Sequence, residues 1–261
     1  MYDRLLPKIV TQLAGPAKGV LGIVLALLIW EYGVHFAGLP EYVLPVPSAI
    51  AERFWQTFPL QVHHLSRTGF STLVGLALAL FSGVLLALLV VYVRSLRNVI
   101  VSVLAAFNGI PKVAIAPLFV IWFGLGVESK ILLAFLLALF PIFVNSLTGL
   151  DEIESDVLDL SKLAGGTKWR IFFKIRLMNA IPYITDALKV AFPLALVGSI
   201  VGEFIGGNTG MGYLILSAQF NLDTSLVFAS LLSITVFTSL GVGAVAAYEN
   251  IFLKWRPSRR R

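Results

Sequence analysis

Residues 70–93 read FSTLVGLALALFSGVLLALLVVYV, an unbroken run without a single charge. A helix needs about 20 residues to cross a hydrocarbon core, so this run is long enough to span one. Working outward, five more stretches have that length and character: 19–39, 99–123, 131–150, 183–205 and 226–252. Composition agrees: the 261-residue chain is 58% hydrophobic and only 13% charged, with a mean hydropathy of +0.90. Soluble domains carry about 25% charged residues, so this chain cannot cover itself in water. The expected fold is all-α integral membrane, with six transmembrane helices. The first apolar run exceeds a signal-peptide core, and Trp30-Glu31-Tyr32 offers no small-residue cleavage site, so it reads as a retained helix. The absence of cysteine excludes disulfides, thiolate metal sites and cysteine nucleophiles. The net charge of +6 belongs to membrane loops and not to a nucleic-acid face.

Basic residues set the orientation. Fifteen of the 20 Lys and Arg fall in the N-terminus, the 94–98 turn, the 151–182 loop and the tail. The intervening loops hold only Arg53, Arg67 and Lys130. The positive-inside rule then predicts both termini in the cytoplasm. The expected organisation is a cytoplasmic N-terminus at 1–18, a first span at 19–39 and an external loop at 40–66. A core follows at 67–252, then a basic tail at 253–261. Within the external loop, 45–66 mixes Phe54, Trp55 and Phe58 with Glu52 and Arg53, the pattern of an amphipathic surface helix. His63 and His64 are adjacent and so face different sides of a helix; no metal site is expected.

The 151–182 loop is too long and too patterned for a connector. It opens with acids, then sets Ile153, Val157, Leu160 and Leu163 at helical spacing. Gly165-Gly166 is a helix stop, and Thr167 can cap a second helix bearing Trp169, Phe172, Phe173 and Leu177 among Lys168, Arg170, Lys174 and Arg176. The result is a cytoplasmic helix–Gly–helix, acidic then basic. It reads either as a hairpin on lipid or as a knob for a groove in a soluble partner.

This loop resembles the EAA loop of permease subunits of type I ABC importers. Asp159-Leu160-Ser161 stands in place of Glu-Ala-Ala, Gly165 keeps its offset, and Ile175, Leu177 and Met178 follow at the family's spacing. Ile110-Pro111-Lys112-Val113-Ala114 with Trp122-Phe123-Gly124, Phe140-Pro141-Ile142, and Glu203-Phe204-Ile205 with Gly206, Gly207, Gly210 and Gly212 are similar to the nitrate/taurine/sulfonate class. The resemblance implies a bacterial inner-membrane, multi-pass subunit, paired with a second copy as a homodimer. It implies cytoplasmic ATPase subunits that bind ATP and magnesium, and an external solute-binding protein. The coupling residues it implies are Asp159, Leu160, Ser161, Gly165, Trp169, Phe172, Ile175 and Leu177. The solute implied is a small oxyanion such as a sulfonate, taurine, nitrate or bicarbonate, and members that carry aromatic carboxylates or pyrimidine-type vitamin precursors leave those classes open as well.

This chain has no G-x-x-x-x-G-K-[ST] phosphate loop and no assembled catalytic set, so it is expected to be a pore-forming subunit with no cofactor and no catalytic residue of its own. Ionisable groups inside spans are costly and default to function. Lys112, between Pro111 and Pro117, reads either as a cationic path lining with Asn108 or as a structural or snorkelling cation; Asn145 is a further path candidate. Glu203 and Asn208 are candidates for an external gate, among glycines that suit a re-entrant turn or a flexible loop. The rival reading is an ion-coupled secondary transporter with Glu203, Asp186 or Glu31 as a relay, although no duplicated half is visible.

Overall fold

A computed structural model describes the backbone of residues 6–253 and the side chains of 19–253 apart from Arg94 and Ser155. The N-terminal basic side chains and the tail from 254 onward, both expected in the cytoplasm, lie outside the described residues. The described chain is helical throughout: α1 Leu6–Ala37, α2 Pro47–Gln56, α3 Phe58–Tyr92, α4 Arg94–Gly109, α5 Lys112–Phe123 and α6 Val127–Asp151. Then come α7 Ser155–Leu163, α8 Lys168–Ile171, a π-helical turn Phe172–Arg176, α9 Leu177–Gly206, α10 Met211–Phe220 and α11 Thr224–Phe252. Among the described residues five helices are long and apolar enough to span a membrane, and the bent pair α4–α5 forms either a sixth, broken span or a re-entrant loop.

That pair covers the expected span 99–123, which is therefore not one continuous helix. Helices α4 and α5 meet at 96° across Ile110-Pro111. Proline has no N–H and drives the residue before it out of helical backbone. Ile110 accordingly sits at ψ 132° and Pro111 at ψ 97°. The amphipathic stretch 45–66 also differs from expectation. Its helix ends at Gln56, and 58–66 forms the start of α3, with Pro59 in that helix's first turn, where proline is well placed. The fifth span is longer than expected, because the second half of the 151–182 loop joins it through a π-helical turn in one helix from Lys168 to Gly206.

The chain forms two compact units. One joins the chain up to Pro59 with Ile215–Leu231, and the other joins Leu60–Leu214 with the chain from Leu232 on. In the first, Glu31 of α1 accepts the Ser48 N–H at 3.0 Å and the Ser48 hydroxyl at 2.7 Å, capping α2 from another helix. Arg53 of α2 pairs with Asp223, whose other oxygen accepts the Leu226 N–H at 3.0 Å and so caps α11. Trp30 meets Phe228 edge-on, with centroids 5.8 Å apart.

In the second unit α6 packs along α9, with α3 alongside. Its core is alanine-rich: Ala79, Ala134, Ala138, Ala187, Ala191 and Ala195 surround Ile142 and Phe192. Lipid offers helices no hydrophobic reason to associate, so small residues that let backbones approach supply the contact. Gly198 shows how close this is, since a Cβ there would lie 2.6 Å from the Leu133 carbonyl oxygen. Towards the loop end a second cluster gathers Ala87, Val90, Phe143, Leu150 and Ala180. Lys189 bonds to Asp186 at 3.2 Å and to Glu249, so this half-buried cation is held between two carboxylates.

Candidate functional site

At one end of the second unit stands the helix–Gly–helix. Helix α7 closes in a paired turn: Gly166 N–H bonds to Ser161 O at 2.9 Å and Gly165 N–H to Lys162 O at 3.0 Å. This Schellman arrangement needs a left-handed residue at its centre, and Gly165 has φ +76° with open space around it. The Thr167 side chain accepts the Arg170 N–H at 3.4 Å and starts α8. Around this corner Leu160, Leu163 and Trp169 are 71%, 87% and 72% exposed, an apolar face left uncovered among the described residues.

The other candidates in this segment divide. Asp159 is exposed and bonds locally to Lys162 at 2.8 Å, and Ser161 returns its hydroxyl to Val157 O. Phe172 turns inward against Tyr92, with centroids 5.9 Å apart, while the neighbouring Phe173 is exposed and stacks on Trp169. Ile175 and Leu177 are half-buried. The hairpin is tied to α6 by groups that sequence reading passed over. Arg176 donates to Leu150 O at 2.7 Å, and Asn179 donates to Gly149 O at 2.8 Å and Glu152 O at 3.1 Å. Those are carbonyls at the α6 C-terminus that have no partner within their own helix.

Lys112 and Asn108 come together at the α4–α5 break: the ammonium donates to the Asn108 side-chain oxygen at 2.6 Å. Lys112 is half-buried and Asn108 exposed. Asn145, on α6, bonds to Pro141 O at 2.8 Å on its own helix.

At the opposite end of the second unit, Glu203 is 1% exposed and fully engaged. Thr68 reaches its two oxygens at 2.8 and 3.0 Å, and the Gly212 N–H reaches it at 2.8 Å. Thr68 Oγ1 also accepts the Met211 N–H at 2.8 Å, and His64 Nδ1 accepts the Gly210 N–H at 3.1 Å. Three successive N–H groups at the start of α10 are thus satisfied by His64 and Thr68, one turn apart on α3, and by Glu203 of α9. His64 stacks on Tyr213 as well, with centroids 5.8 Å apart. Beside this knot lies a cavity of about 240 Å³, lined by Arg67, Phe70, Lys130, Glu203, Asn208 and Thr209 among others. The structure therefore brings Glu203 and Asn208 to one cavity wall, together with Arg67 and Lys130. Among the described residues no group of three or more His, Cys, Asp and Glu could hold a metal.

A family model described as "Binding-protein-dependent transport system inner membrane component" matches residues 53–253. The chain is 31% identical to the riboflavin transport system permease protein RibX of Chloroflexus aurantiacus, over 93% of this chain and 92% of that one. It is 34% identical to the formylaminopyrimidine transport permease protein ThiX of Halalkalibacterium halodurans, over 90% and 94%. It is 27% identical to the putative aliphatic sulfonates transport permease protein SsuC of Bacillus subtilis, over 94% and 89%. With most of its length matched, this chain belongs to the inner-membrane components of binding-protein-dependent transport systems, the permease subunits of type I ABC importers.

Proposed function

We propose that this permease forms, with a second copy of itself, the path by which a small anionic solute enters the cell, driven by ATP hydrolysed on cytoplasmic ATPase subunits and supplied by an external binding protein. The observation that carries this reading is the uncovered apolar corner Leu160–Leu163–Trp169, set on a rigid glycine turn and tied to α6 through Arg176 and Asn179. A surface of that kind fits a groove on a soluble protein. The ATP and magnesium belong to that partner, since this chain has no phosphate loop. Both termini and the corner face the cytoplasm in this reading, which the distribution of Lys and Arg supports.

Solute chemistry is drawn from two directions. The relatives carry the names of riboflavin, formylaminopyrimidine and aliphatic sulfonate permeases, which supports a small organic solute. The Lys112–Asn108 pair at the span break supports an anion within the path. Glu203 and Asn208 guard the outer end, with Glu203 holding α10 in place.

Gentle purification from native membranes, followed by mass spectrometry of what remains bound, tests the reading. Gly165→Val forces a branched side chain into a left-handed backbone, where strain is about 1–2 kcal/mol, and distorts the corner alone. Recovery of an ATPase with the native protein and its loss with the variant is the expected result. A solitary native protein that transports on an ion gradient without ATP would refute it.

A further inference from the structure

The last turns of α1 carry a group of side chains that the transport reading leaves unused. Glu31, Tyr32, His35 and Phe36 line a hollow of about 410 Å³. Helical spacing puts Glu31 beside His35 and Tyr32 beside Phe36, so the four share one face. Tyr32 is 61% exposed and Phe36 92%, and both rings are left uncovered among the described residues. The hollow is formed within the first of the two compact units.

The chemistry facing this hollow is that of acceptors. The Glu31 carboxylate takes the Ser48 N–H at 3.0 Å on one oxygen and the Ser48 hydroxyl at 2.7 Å on the other. An ionised carboxylate has about four lone-pair sites, so it keeps room for further donors. His35 Nδ1 lies 2.8 Å from the Glu31 carbonyl oxygen, which can only accept. The neutral ring therefore carries its proton on Nδ1 and accepts at Nε2. The rings of Tyr32 and Phe36 add the negative faces that attract cations. Among the described residues no Lys or Arg lines the hollow. A primary ammonium satisfies this set, giving N–H bonds to the carboxylate and Nε2 while resting on the rings. A quaternary ammonium has no N–H to give. Depth indicates where such a group comes from. Gly19–Ala37 is long and apolar enough to span a membrane, and Glu31 to Phe36 fall in its last turns, where hydrocarbon gives way to head groups.

We propose that this hollow is a site for the primary ammonium of a phospholipid head group, that of phosphatidylethanolamine, with Glu31 and His35 Nε2 accepting its N–H groups and Tyr32 and Phe36 flanking it. The same carboxylate holds the start of α2 through Ser48, so the lipid is joined by one side chain to the helix that follows the first span. The site requires only that α1 stand in a bilayer, and it holds whether or not the importer reading does.

The test titrates the detergent-purified full chain with dioleoyl phosphatidylethanolamine, phosphatidylcholine and phosphatidylglycerol, counting bound lipid by native mass spectrometry. A pH of about 8 keeps the imidazole neutral. Phosphatidylethanolamine is expected to bind about tenfold or more tighter than phosphatidylcholine, because only its ammonium makes charge-assisted hydrogen bonds. Glu31→Gln, which keeps an oxygen for Ser48, should bring phosphatidylethanolamine down to the level of phosphatidylcholine. Phe36→Leu, at an exposed position where folding is not at stake, should weaken phosphatidylethanolamine alone by about two- to fivefold. Equal binding of phosphatidylethanolamine and phosphatidylcholine by the native protein would overturn the site. A preference that survives both substitutions would overturn it as well, by placing the selective contact elsewhere. A loss in Glu31→Gln spread evenly over the three lipids would do the same, marking Glu31 as a cap for α2 and nothing more. Free ethanolamine that binds saturably and is not displaced by phosphatidylethanolamine would overturn the lipid as its source.

Discussion

The carboxylate of Glu203 accepts the backbone N–H of Gly212 at 2.8 Å, so a residue near the end of one membrane helix caps the start of the next. Glu31 does the same for Ser48 at the start of α2. Both short helices, α2 and α10, are thus started by acids borrowed from long ones. An acid inside a membrane span, which sequence reading treats as functional by default, here has a structural task.

That task predicts coupling between Glu203 and Thr68. Each of Glu203→Ala and Thr68→Val leaves buried N–H groups unsatisfied and costs about 1–3 kcal/mol. Because they share the same knot, the double variant falls short of additivity by at least about 0.5 kcal/mol. Denaturation midpoints in mixed micelles measure both, and simple additivity would show that the knot does not act as a unit.

Gly210 and Gly243 predict opposite outcomes for the same substitution. Gly210 has φ +105°, and a Cβ there would overlap the Glu203 carboxylate. Gly243 lies within α11 with nothing within 4 Å of its would-be Cβ. Gly210→Ala should destabilise and loosen α10, whereas Gly243→Ala should stabilise by up to about 1 kcal/mol through helix propensity. Thermal aggregation onset of the two variants, compared with the native protein, separates them.

Asp223 has two roles that substitution can split. Asp223→Asn keeps an oxygen for the Leu226 N–H and loses only the charge pairing with Arg53, which is part-exposed and worth under about 1 kcal/mol. Asp223→Ala loses the cap as well, for a further cost of about 1 kcal/mol. If the two variants melt alike, the cap contributes nothing.

Asn179 predicts a transport phenotype without loss of assembly. Asn179→Ala frees Gly149 O and Glu152 O at the end of α6 while leaving the Leu160–Trp169 corner intact. ATPase co-purification should persist, and ATP-driven uptake into vesicles should fall relative to ATP hydrolysed. Unchanged uptake per ATP would mean that these bonds do not carry force.

Local chemistry explains what was legible beforehand. The uncharged runs, the Gly165-Gly166 stop and the Thr167 cap depend on neighbouring residues, and each stands where sequence reading expects it. The break at Ile110-Pro111 was equally local: an X-Pro pair within an apolar run carries the signal, but the run's length argued for one continuous span. Pro59 likewise marked the start of α3 inside what read as a single amphipathic helix. What could not be read is long-range. His64 and Thr68 meet Gly210 and Met211 across more than 140 positions, and no periodicity on α3 announces it. The convergence of Arg67 and Lys130 needed the packing of α3 against α6 before it became visible at all. Asn179 looked like an ordinary polar residue because its partners are carbonyls, which every sequence has.

The continuity from Lys168 to Gly206 has a mechanical consequence. Thirty-nine residues of helix make a strut roughly 60 Å long, with Trp169 at one tip and Glu203 near the other. A strut cannot be tilted at one tip without its far tip swinging, so motion imposed on the Leu160–Trp169 corner is delivered to Glu203. The π-helical turn at Phe172–Arg176 and the prolines at 182 and 193 are where such a strut yields, because their hydrogen-bond ladder is already interrupted. Stiffness along this one helix therefore sets how much of a push at the Trp169 end is felt at Glu203.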